Sequence, residues 1–302
     1  MTFSAGHPEK KCGYGVCFRR KDMSLDFSKS IFDNCRNYRR PFLAAHRGVS
    51  GANIPCNTLA SYKIAMDQGA EVVEIDVSIS KDGEYFCFHP GTEPVFLKCG
   101  KYISDMTAEE VRQLTLLNMD EVPTHYTIPT LKQAFDLMKD KVYINVDKYW
   151  TDIEGISREI RKCGVERQVI VKTPAEQKYF DMVEKYAPDL MYMGIAGERD
   201  DVSDELLRRN IKYIGIEALF ENLSAEIASE DYILKMHNRG LLVWANAIIY
   251  NEKAVLAAHL SDDESLRRGD GYGWKELAKM QFDIIQTDWP LAADLALRDC
   301  RK

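Results

Sequence analysis

The feature that most constrains the fold is an alternation of short strand-like runs with longer helical patterns, which begins after Pro41. Eight runs are rich in β-branched or aromatic residues: 42–46, 72–77, 142–147, 169–172, 191–195, 213–217, 242–246 and 283–287. Segments of helical character separate most of them: 58–67, 153–163, 175–186, 204–208, 227–238 and 274–280. Alternating strand and helix units imply a parallel sheet with right-handed crossovers. Eight units predict an α/β fold, a closed (β/α)8 TIM barrel. An open doubly wound sheet is the alternative, although no glycine-rich nucleotide motif follows the first run.

The length of the chain suits one barrel with additions. The chain has 302 residues, and such a barrel typically takes about 250. We assign residues 1–40 to an N-terminal extension and 41–302 to the barrel. Within the extension, apolar residues recur at helical spacing and predict a docking helix. They are Leu25, Phe27, Ile31, Phe32 and Cys35.

One segment after the second run departs from the alternation. Asp82-Gly83 lies between two alternating runs, which is a strong hairpin signal. We predict antiparallel pairing of residues 75–80 with 84–89, which returns His89 to the side of Asp76. Residues 90–130 then form an insertion before the third run.

Three carboxylates are predicted to meet at the barrel mouth, where βα-barrels carry their active sites. The two-residue period of a strand places Glu74 and Asp76 on one face, and Asp147 ends the neighbouring strand. Carboxylates so close repel each other unless a cation joins them. A group without Cys or His favours a hard divalent cation, Mg²⁺ or Ca²⁺. The alternative is that Glu74 and Asp76 are solvated, or paired with Arg47 and Lys148.

Two histidines approach the carboxylates from different chain segments. His46 ends the first run, and the hairpin returns His89. Two converging histidines can supply the general base and the general acid that are needed to act on one phosphate. The alternative is that both histidines are structural.

Other strand ends offer candidate substrate contacts. Arg47 is suited to bidentate phosphate binding, or to a salt bridge with Glu74. Lys172 ends an apolar run and is predicted to point into the mouth, either toward substrate or to orient Asp147. Trp244 either walls the substrate pocket or lies in the core. Thr287 and Asp288 are interpreted as a cap for the last helix.

Charge and cysteine content restrict partners and location. The net charge of −7 argues against broad binding to nucleic acid or anionic membranes. The eight cysteines include no CxxC pair, so most are expected to be free thiols of a reducing compartment. The first residues lack an apolar signal core, and no apolar stretch approaches the ~20 residues of a membrane span. We therefore expect a soluble cytoplasmic protein with a small-molecule substrate and no stable membrane insertion. The sequence does not define its oligomeric state.

These residues resemble the glycerophosphodiester phosphodiesterase family from His46 to about residue 295. The motifs that carry the resemblance are His46-Arg47-Gly48, Asn57-Thr58-Leu59-Ala60-Ser61-Tyr62, Gly69-Ala70, Glu74-Ile75-Asp76-Val77, Lys81-Asp82-Gly83 with His89, Ile128-Pro129-Thr130-Leu131, Ile144-Asn145-Val146-Asp147-Lys148, Val243-Trp244 and Thr287-Asp288-Trp289-Pro290. The resemblance implies a (β/α)8 barrel that hydrolyses glycerophosphodiesters to an alcohol and glycerol 3-phosphate. It further implies that His46 and His89 are the acid/base pair, that Glu74, Asp76 and Asp147 hold the metal, and that Arg47 clamps the phosphate. In such barrels, the glycerol 2-hydroxyl is thought to attack phosphorus before water completes the reaction.

This sequence departs from the family pattern at four positions. Cys56 replaces a Glu, Pro90 replaces an Asp, Asp147 replaces a Glu, and Tyr149 stands where a Lys is usual. Three other functions stay open at this point. One is a sphingomyelinase-D-like or phosphoinositide-type phospholipase or lyase. The others are a non-catalytic phosphate-ligand binder and a Schiff-base aldolase that uses Lys172.

Overall fold

The computed structural model describes residues 25–249 and 253–298. The expectation about a signal core concerns residues outside these ranges. In chain order the strands are β1 (Phe42–Ala45), β2 (Val72–Ile79), β3 (Tyr85–Cys87), β4 (Thr115–Leu117), β5 (Pro123–Thr127), β6 (Tyr143–Asp147), β7 (Val169–Pro174), β8 (Met191–Ala196), β9 (Tyr213–Ala218), β10 (Leu242–Asn246) and β11 (Ile284–Thr287). The helices are α1 (Ile31–Arg36), α2 (Leu59–Gln68), α3 (Glu93–Phe96), α4 (Ala108–Arg112), α5 (Leu131–Met138), α6 (Ile153–Cys163), α7 (Gln177–Tyr186), α8 (Ser203–Leu206), α9 (Glu230–Asn238), α10 (Asp262–Arg268), α11 (Tyr272–Lys279) and α12 (Pro290–Leu297). Single 3₁₀ turns lie at Ile103–Asp105, Tyr149–Thr151 and Glu226–Ala228.

Eight of these strands close into the predicted barrel. Their order is β1-β11-β10-β9-β8-β7-β6-β2, and β1 also pairs with β2. Every pairing around this ring is parallel. The (β/α)8 TIM barrel prediction is therefore confirmed, and the open-sheet alternative is wrong because β1 and β2 close the ring.

The strand period explains why the mouth is polar. Side chains on one face of each strand point outward and pack beneath the surrounding helices, as Val73 and Ile75 do. The inward-facing column of β2 starts with the core residue Val72 and continues two residues at a time. Its next members are Glu74 and Asp76, so the barrel interior changes from apolar to acidic along a single strand.

The described part of the N-terminal extension, residues 25–40, covers the opposite end of the barrel. Ile31 and Cys35 of α1 are buried among the inward-facing apolar residues of the strands. Four partly buried neighbours add to this contact: Leu25, Phe27, Phe32 and Tyr38. The docking helix is present, and the helical part of the predicted segment is Ile31–Arg36.

The predicted hairpin is present at the mouth. β3 pairs antiparallel with the end of β2, with Val77 opposite Cys87. Gly83 adopts a left-handed φ of 88°, a conformation that glycine accepts without steric cost. The Phe88 amide donates to the Asp76 carbonyl at 3.1 Å, which sets His89 beside the acidic strand end. The insertion packs on the hairpin through its own small apolar core.

Helix positions follow the sequence pattern with local exceptions. The predicted helix at 153–163 matches α6. The segment predicted at 227–238 begins as a 3₁₀ turn, and α9 begins only at Glu230. Of the two helices between β10 and β11, the pattern indicates α11 but not α10. None of the helices in the described parts of the chain is long and apolar enough to cross a membrane.

Candidate active site

The three predicted carboxylates meet at the mouth. The parallel register of β2 and β6 places Asp76 beside Asp147, and Glu74 lies two residues earlier on the same face. One carboxylate oxygen from each residue lies within 4.8 Å of the other two. Glu74 and Asp76 are only 2% and 1% exposed. Two carboxylates are thus buried close together, beside a third.

The electrostatics of this cluster suit a cation. Burial, followed by the charges of Asp76 and Asp147, raises the pKa of the Glu74 carboxyl well above its ordinary value. Burial also opposes ionisation of Asp147, but the adjacent Lys148 ammonium, 2.7 Å away, outweighs it and lowers the Asp147 pKa. Oδ1 of Asp76 is buried and has no hydrogen-bond partner among the described residues. A buried carboxylate oxygen without a donor is costly, and a divalent cation with a preference for oxygen ligands would satisfy it. The residues therefore fit a Mg²⁺ or Ca²⁺ site.

The other oxygen of Asp76 is held by the loop after β1. The Arg47 Nε atom lies 2.9 Å from Asp76 Oδ2, and the Asn57 amide donates to the same oxygen at 2.8 Å. The Arg47 backbone N–H donates to Glu74 Oε2 at 2.7 Å. The salt bridge predicted as the structural alternative for Arg47 therefore goes to Asp76, and Glu74 is bound by the backbone of Arg47.

Asn57 was not predicted as a site residue. Its side-chain oxygen accepts a hydrogen bond from the Tyr62 hydroxyl at 2.9 Å, which orients the amide toward Asp76. Its backbone has a left-handed φ of 54°, a conformation that Asn tolerates better than most residues. The Asn57-Thr58 pair before α2 is the signal in the sequence that could have indicated it.

Both predicted histidines line the mouth, in different surroundings. The His46 Nδ1 atom lies 2.9 Å from a carboxylate oxygen of Asp288. The His89 Nδ1 atom lies 2.9 Å from the Pro90 carbonyl, and its Nε2 atom is 3.9 Å from Asp76 Oδ1. Burial, joined by Arg47 and Lys148, lowers the His89 pKa despite the nearby Asp76. Nδ1 of each ring thus lies beside an oxygen acceptor, a carboxylate for His46 and a backbone carbonyl for His89.

Asp288 does not cap the last helix, contrary to the interpretation from sequence. The N-cap of α12 is Trp289, and it has no side-chain cap hydrogen bond. Instead, Asp262 of α10 accepts from the Thr287 hydroxyl at 2.6 Å and from the Asp288 amide at 2.7 Å. The Asp288 side chain is thereby free to turn toward His46.

Lys172 points into the mouth as predicted, and its partner is a residue that was not predicted. Its ammonium lies 2.8 Å from Glu217 Oε2 and 3.1 Å from the centre of the Trp244 ring. Burial lowers the Lys172 pKa, and Glu217 partly offsets that effect. The Asn246 amide donates to the other Glu217 oxygen at 2.6 Å.

Of the two roles predicted for Trp244, the position in the core is present and the wall of the substrate pocket is not. Its side chain is fully buried in the barrel core, so it does not wall the substrate pocket. The indole ring makes a cation–π contact with the Lys172 ammonium. Its Nε1–H group donates a hydrogen bond to the side-chain oxygen of Asn246 at 3.0 Å.

Two cavities meet at His46. One, of about 180 Å³, lies in the barrel mouth and includes polar side chains from several strands: Glu74, Asn145, Asp147, Lys172, Glu217 and Asn246. The other, of about 570 Å³, lies beside the mouth between the loop after β1, the insertion and α12. The chemistry of the small cavity suits a compact polyhydroxylated anion, because it combines cations, carboxylates and amides around the acidic cluster.

Comparisons with known proteins show the family to which the chain belongs. Residues 46–290 match the model of the glycerophosphoryl diester phosphodiesterase family. A glycerophosphodiester phosphodiesterase of Caldanaerobacter subterraneus subsp. tengcongensis is 31% identical over 159 residues, which are 50% of this chain and 65% of that enzyme. The chain thus spans slightly less than two thirds of that relative.

Solved structures share the fold. A glycerophosphoryl diester phosphodiesterase of Parabacteroides distasonis superposes with a TM-score of 0.74 at 21% identity, over 91% of this chain and 93% of that one. An Oleispira antarctica phosphodiesterase in complex with its product sn-glycerol-3-phosphate has a TM-score of 0.65 at 18% identity, over 89% and 100% of the two chains. Since the family match extends over most of the chain and over the whole candidate site, the protein belongs to the glycerophosphoryl diester phosphodiesterase family.

Proposed function

We propose that this protein is a metal-dependent phosphodiesterase that hydrolyses a glycerophosphodiester to an alcohol and glycerol 3-phosphate. Family membership supports this proposal, as does the product bound to the Oleispira antarctica relative. The observation that carries it is the buried acidic cluster with an unsatisfied oxygen on Asp76, bordered by two histidines. A Schiff-base reaction at Lys172 would leave this cluster without a role.

Glu74, Asp76 and Asp147 would hold the cation, Mg²⁺ or Ca²⁺. When bound, such an ion neutralises charge on a phosphoryl oxygen and polarises the phosphorus centre. Arg47 would add a second cationic contact to the phosphate. Its guanidinium is already anchored on Asp76, so little side-chain entropy is lost when a phosphate arrives.

His46 and His89 would exchange the protons. One imidazole removes the proton from the attacking oxygen, and the other imidazole, in its protonated form, donates a proton to the oxygen of the departing alcohol. One P–O bond forms and one breaks at each displacement, and the two histidines end in exchanged protonation states. The attacking oxygen belongs either to water or to the glycerol 2-hydroxyl. In the second case a cyclic phosphate forms first, and water opens it with the roles of the histidines reversed.

Lys172 would contact the substrate at the small polar cavity. Its ammonium is fixed by Glu217 and by the Trp244 ring. The Lys172 ammonium would donate to glycerol hydroxyls, and the Glu217 carboxylate would accept from them.

Phosphorus NMR of a reaction mixture tests the function directly. We expect sn-glycero-3-phosphocholine or a simple alkyl glycerophosphodiester to yield glycerol 3-phosphate with Mg²⁺ or Ca²⁺, and no product with EDTA. Accumulation of a cyclic phosphate as the final product would instead identify a lyase. Absence of any product with either cation would contradict the proposal and favour a non-catalytic binder. Asp67→Asn, a change at an exposed residue of α2, is a suitable control beside Asp76→Asn.

We also infer that the protein works in a reducing compartment such as the cytoplasm. Five described cysteines carry free thiols, which supports this inference: Cys35, Cys56, Cys87, Cys99 and Cys163. Thiol titration of the native and denatured protein, without reductant, tests it.

A further inference from the structure

The larger cavity beside the mouth is a groove with a mainly apolar wall. It is lined from three directions: by the loop after β1, by the insertion and by α12. The larger apolar side chains of its lining include Cys56, Phe96, Met119, Trp289, Leu291 and Leu295. Its volume of about 570 Å³ lies within the range of small-molecule sites, roughly 300 to 1,000 Å³.

Several of these side chains are exposed to an unusual degree for apolar residues. Met119 is 82% exposed, Trp289 52% and Leu295 49%. They come from separate elements and border the same groove, whereas single exposed apolar residues scattered over a surface need no explanation. Burial raises the pKa of the Cys56 thiol to about 11, so this part of the wall is uncharged at neutral pH.

The groove is continuous with the reaction centre. His46 lines both cavities, and Arg47 and Asp288 also border the groove. A substrate with its phosphate at the acidic cluster can therefore extend one substituent into the small polar cavity and the other into the groove. The small cavity, of about 180 Å³, also has apolar neighbours, but Lys172, Glu217 and Asn246 supply it with hydrogen-bonding groups that can bind the hydroxyls of an unmodified glycerol.

We propose that the groove binds an alkyl or acyl chain on the departing alcohol, so that the preferred substrates are glycerophosphodiesters whose leaving alcohol is lipophilic. This inference rests on the proposed hydrolysis, and it adds the class of leaving group.

A homologous series of substrates tests the inference. Methyl, hexyl and dodecyl esters of sn-glycerol 3-phosphate are compared by kcat/KM, at concentrations below the micellar range so that monomers are measured. Each methylene buried in an apolar pocket can contribute about tenfold or more to discrimination, and an open groove contributes less per methylene. We therefore expect the dodecyl ester to exceed the methyl ester by at least about tenfold.

The groove variant is Met119→Gln combined with Leu295→Gln, since both side chains are exposed and neither packs in the core. We expect the dodecyl-to-methyl ratio, taken within each protein, to fall by roughly tenfold in this variant. Leu234→Gln is the matched control: Leu234 is 52% exposed on α9, away from the groove, and its ratio should equal that of the wild type.

The possible results separate this inference from the proposed function. Equal kcat/KM for all three esters, or a ratio that the groove variant leaves unchanged, would overturn the inference while the hydrolysis stands. A second arm uses a methyl ester with a dodecyl chain on the glycerol 1-oxygen. If that compound is preferred over the plain methyl ester, while the dodecyl ester is not, the groove binds a chain on the glycerol side and the inference is wrong. Failure to hydrolyse any ester would remove the proposed function, and the inference with it.

Discussion

Nδ1 of His46 lies 2.9 Å from Oδ1 of Asp288, and these residues come from opposite ends of the barrel sequence. They become neighbours because β1 and β11 pair in parallel, with Ala45 beside Thr287. The contact fixes the proton of the ring on Nδ1, since a carboxylate can only accept. When the ring is neutral, Nε2 is therefore the acceptor nitrogen, which is the form that the proposed base needs.

The first prediction concerns this contact. Asp288→Leu removes the acceptor, and we expect turnover to fall by about 10- to 100-fold, as for other carboxylates that orient a functional histidine. Asp288→Asn keeps the size of the side chain, but its amide N–H can face Nδ1 and favour the Nε2–H tautomer, so it should lose turnover as well. Nitrogen-15 NMR of the His46 ring should show the Nδ1–H tautomer in the wild type and a mixture in the Leu variant. A Leu variant with wild-type turnover and an unchanged tautomer would show that Asp288 does not position His46.

The second prediction concerns the metal. A ligand that binds only the folded protein, at a concentration 100 times its Kd, stabilises by about 2.7 kcal/mol. That corresponds to a rise in Tm of roughly 5 °C or more for a domain of this size. We expect Mg²⁺ or Ca²⁺ to raise the Tm of the wild type, and neither cation to do so in Glu74→Ala, Asp76→Ala or Asp147→Ala. Differential scanning fluorimetry, with calorimetric titration of the cation, measures this effect. The same rise in Tm in all three variants would place the cation elsewhere.

Much of this site follows from the strand periodicity alone. Glu74, Asp76, Asp147 and Lys172 are found at the mouth because each lies at an inward-facing position near the end of a strand. The hairpin that carries His89 follows from Asp82-Gly83. These features depend on residues that are close in sequence or on the general geometry of the barrel.

The contacts that orient these groups were not predictable in the same way. Glu217 ends a predicted run, but its pairing with Lys172 reaches past the intervening strand β8 and depends on the barrel order. Asn57 acts through a left-handed backbone conformation and through the Tyr62 hydroxyl. Trp244 has one face in the core and one under Lys172, so its burial depends on how the barrel interior is filled. Asp262 reaches Asp288 from a helix that the pattern did not indicate.

The third prediction concerns pH and Asp262. Burial raises the Asp262 pKa to about 7, although Thr287, Asp288 and Trp274 donate hydrogen bonds to it. The unfolded value is near 3.8, so the folded protein holds a proton that the unfolded chain releases. Its contribution to stability is fully present below about pH 4 and is lost as the pH rises toward about 7. Urea unfolding from pH 4 to pH 7 should show that the free energy of unfolding falls with rising pH in the wild type. The fall should be smaller in Asp262→Asn. Equal slopes would assign the pH dependence to other groups.

The fourth prediction concerns Gly48, which follows Arg47 in the loop after β1. Gly48 has a left-handed φ of 76°, and a Cβ added there would lie 2.6 Å from Ser61 Oγ and 2.7 Å from the Ser61 carbonyl carbon. Gly83 is a matched control, because its φ is 88° and an added Cβ meets nothing within 4 Å. In both Ala variants, the left-handed backbone conformation lowers the free energy of unfolding. In Gly48→Ala, the steric clash with Ser61 lowers it further. We expect its unfolding free energy to be lower by a further ~1 to 3 kcal/mol, with a loss of turnover as Arg47 moves. Equal costs in the two variants would show that α2 shifts easily.

The last prediction concerns the division of labour between His46 and His89. Their Nδ1 atoms have different acceptors, a carboxylate for His46 and a backbone carbonyl for His89. A positioned acid or base typically contributes about 100- to 10,000-fold. We expect His46→Ala and His89→Ala each to lose at least about 100-fold in turnover, with the metal-dependent rise in Tm retained. A nitrophenyl glycerophosphodiester has a leaving group that needs no proton, so it should restore one variant far more than the other. The restored variant identifies the general acid, and the other histidine is then the base.

The control is a histidine outside the site. His237→Ala is unsuitable because that ring binds Asp283 in the fold. His125→Ala is suitable because His125 lies on the insertion strand β5, outside the site. If neither active-site variant loses activity, both histidines are structural. If the nitrophenyl substrate restores both equally, the assignment of separate acid and base roles is wrong, and proton transfer must pass through solvent.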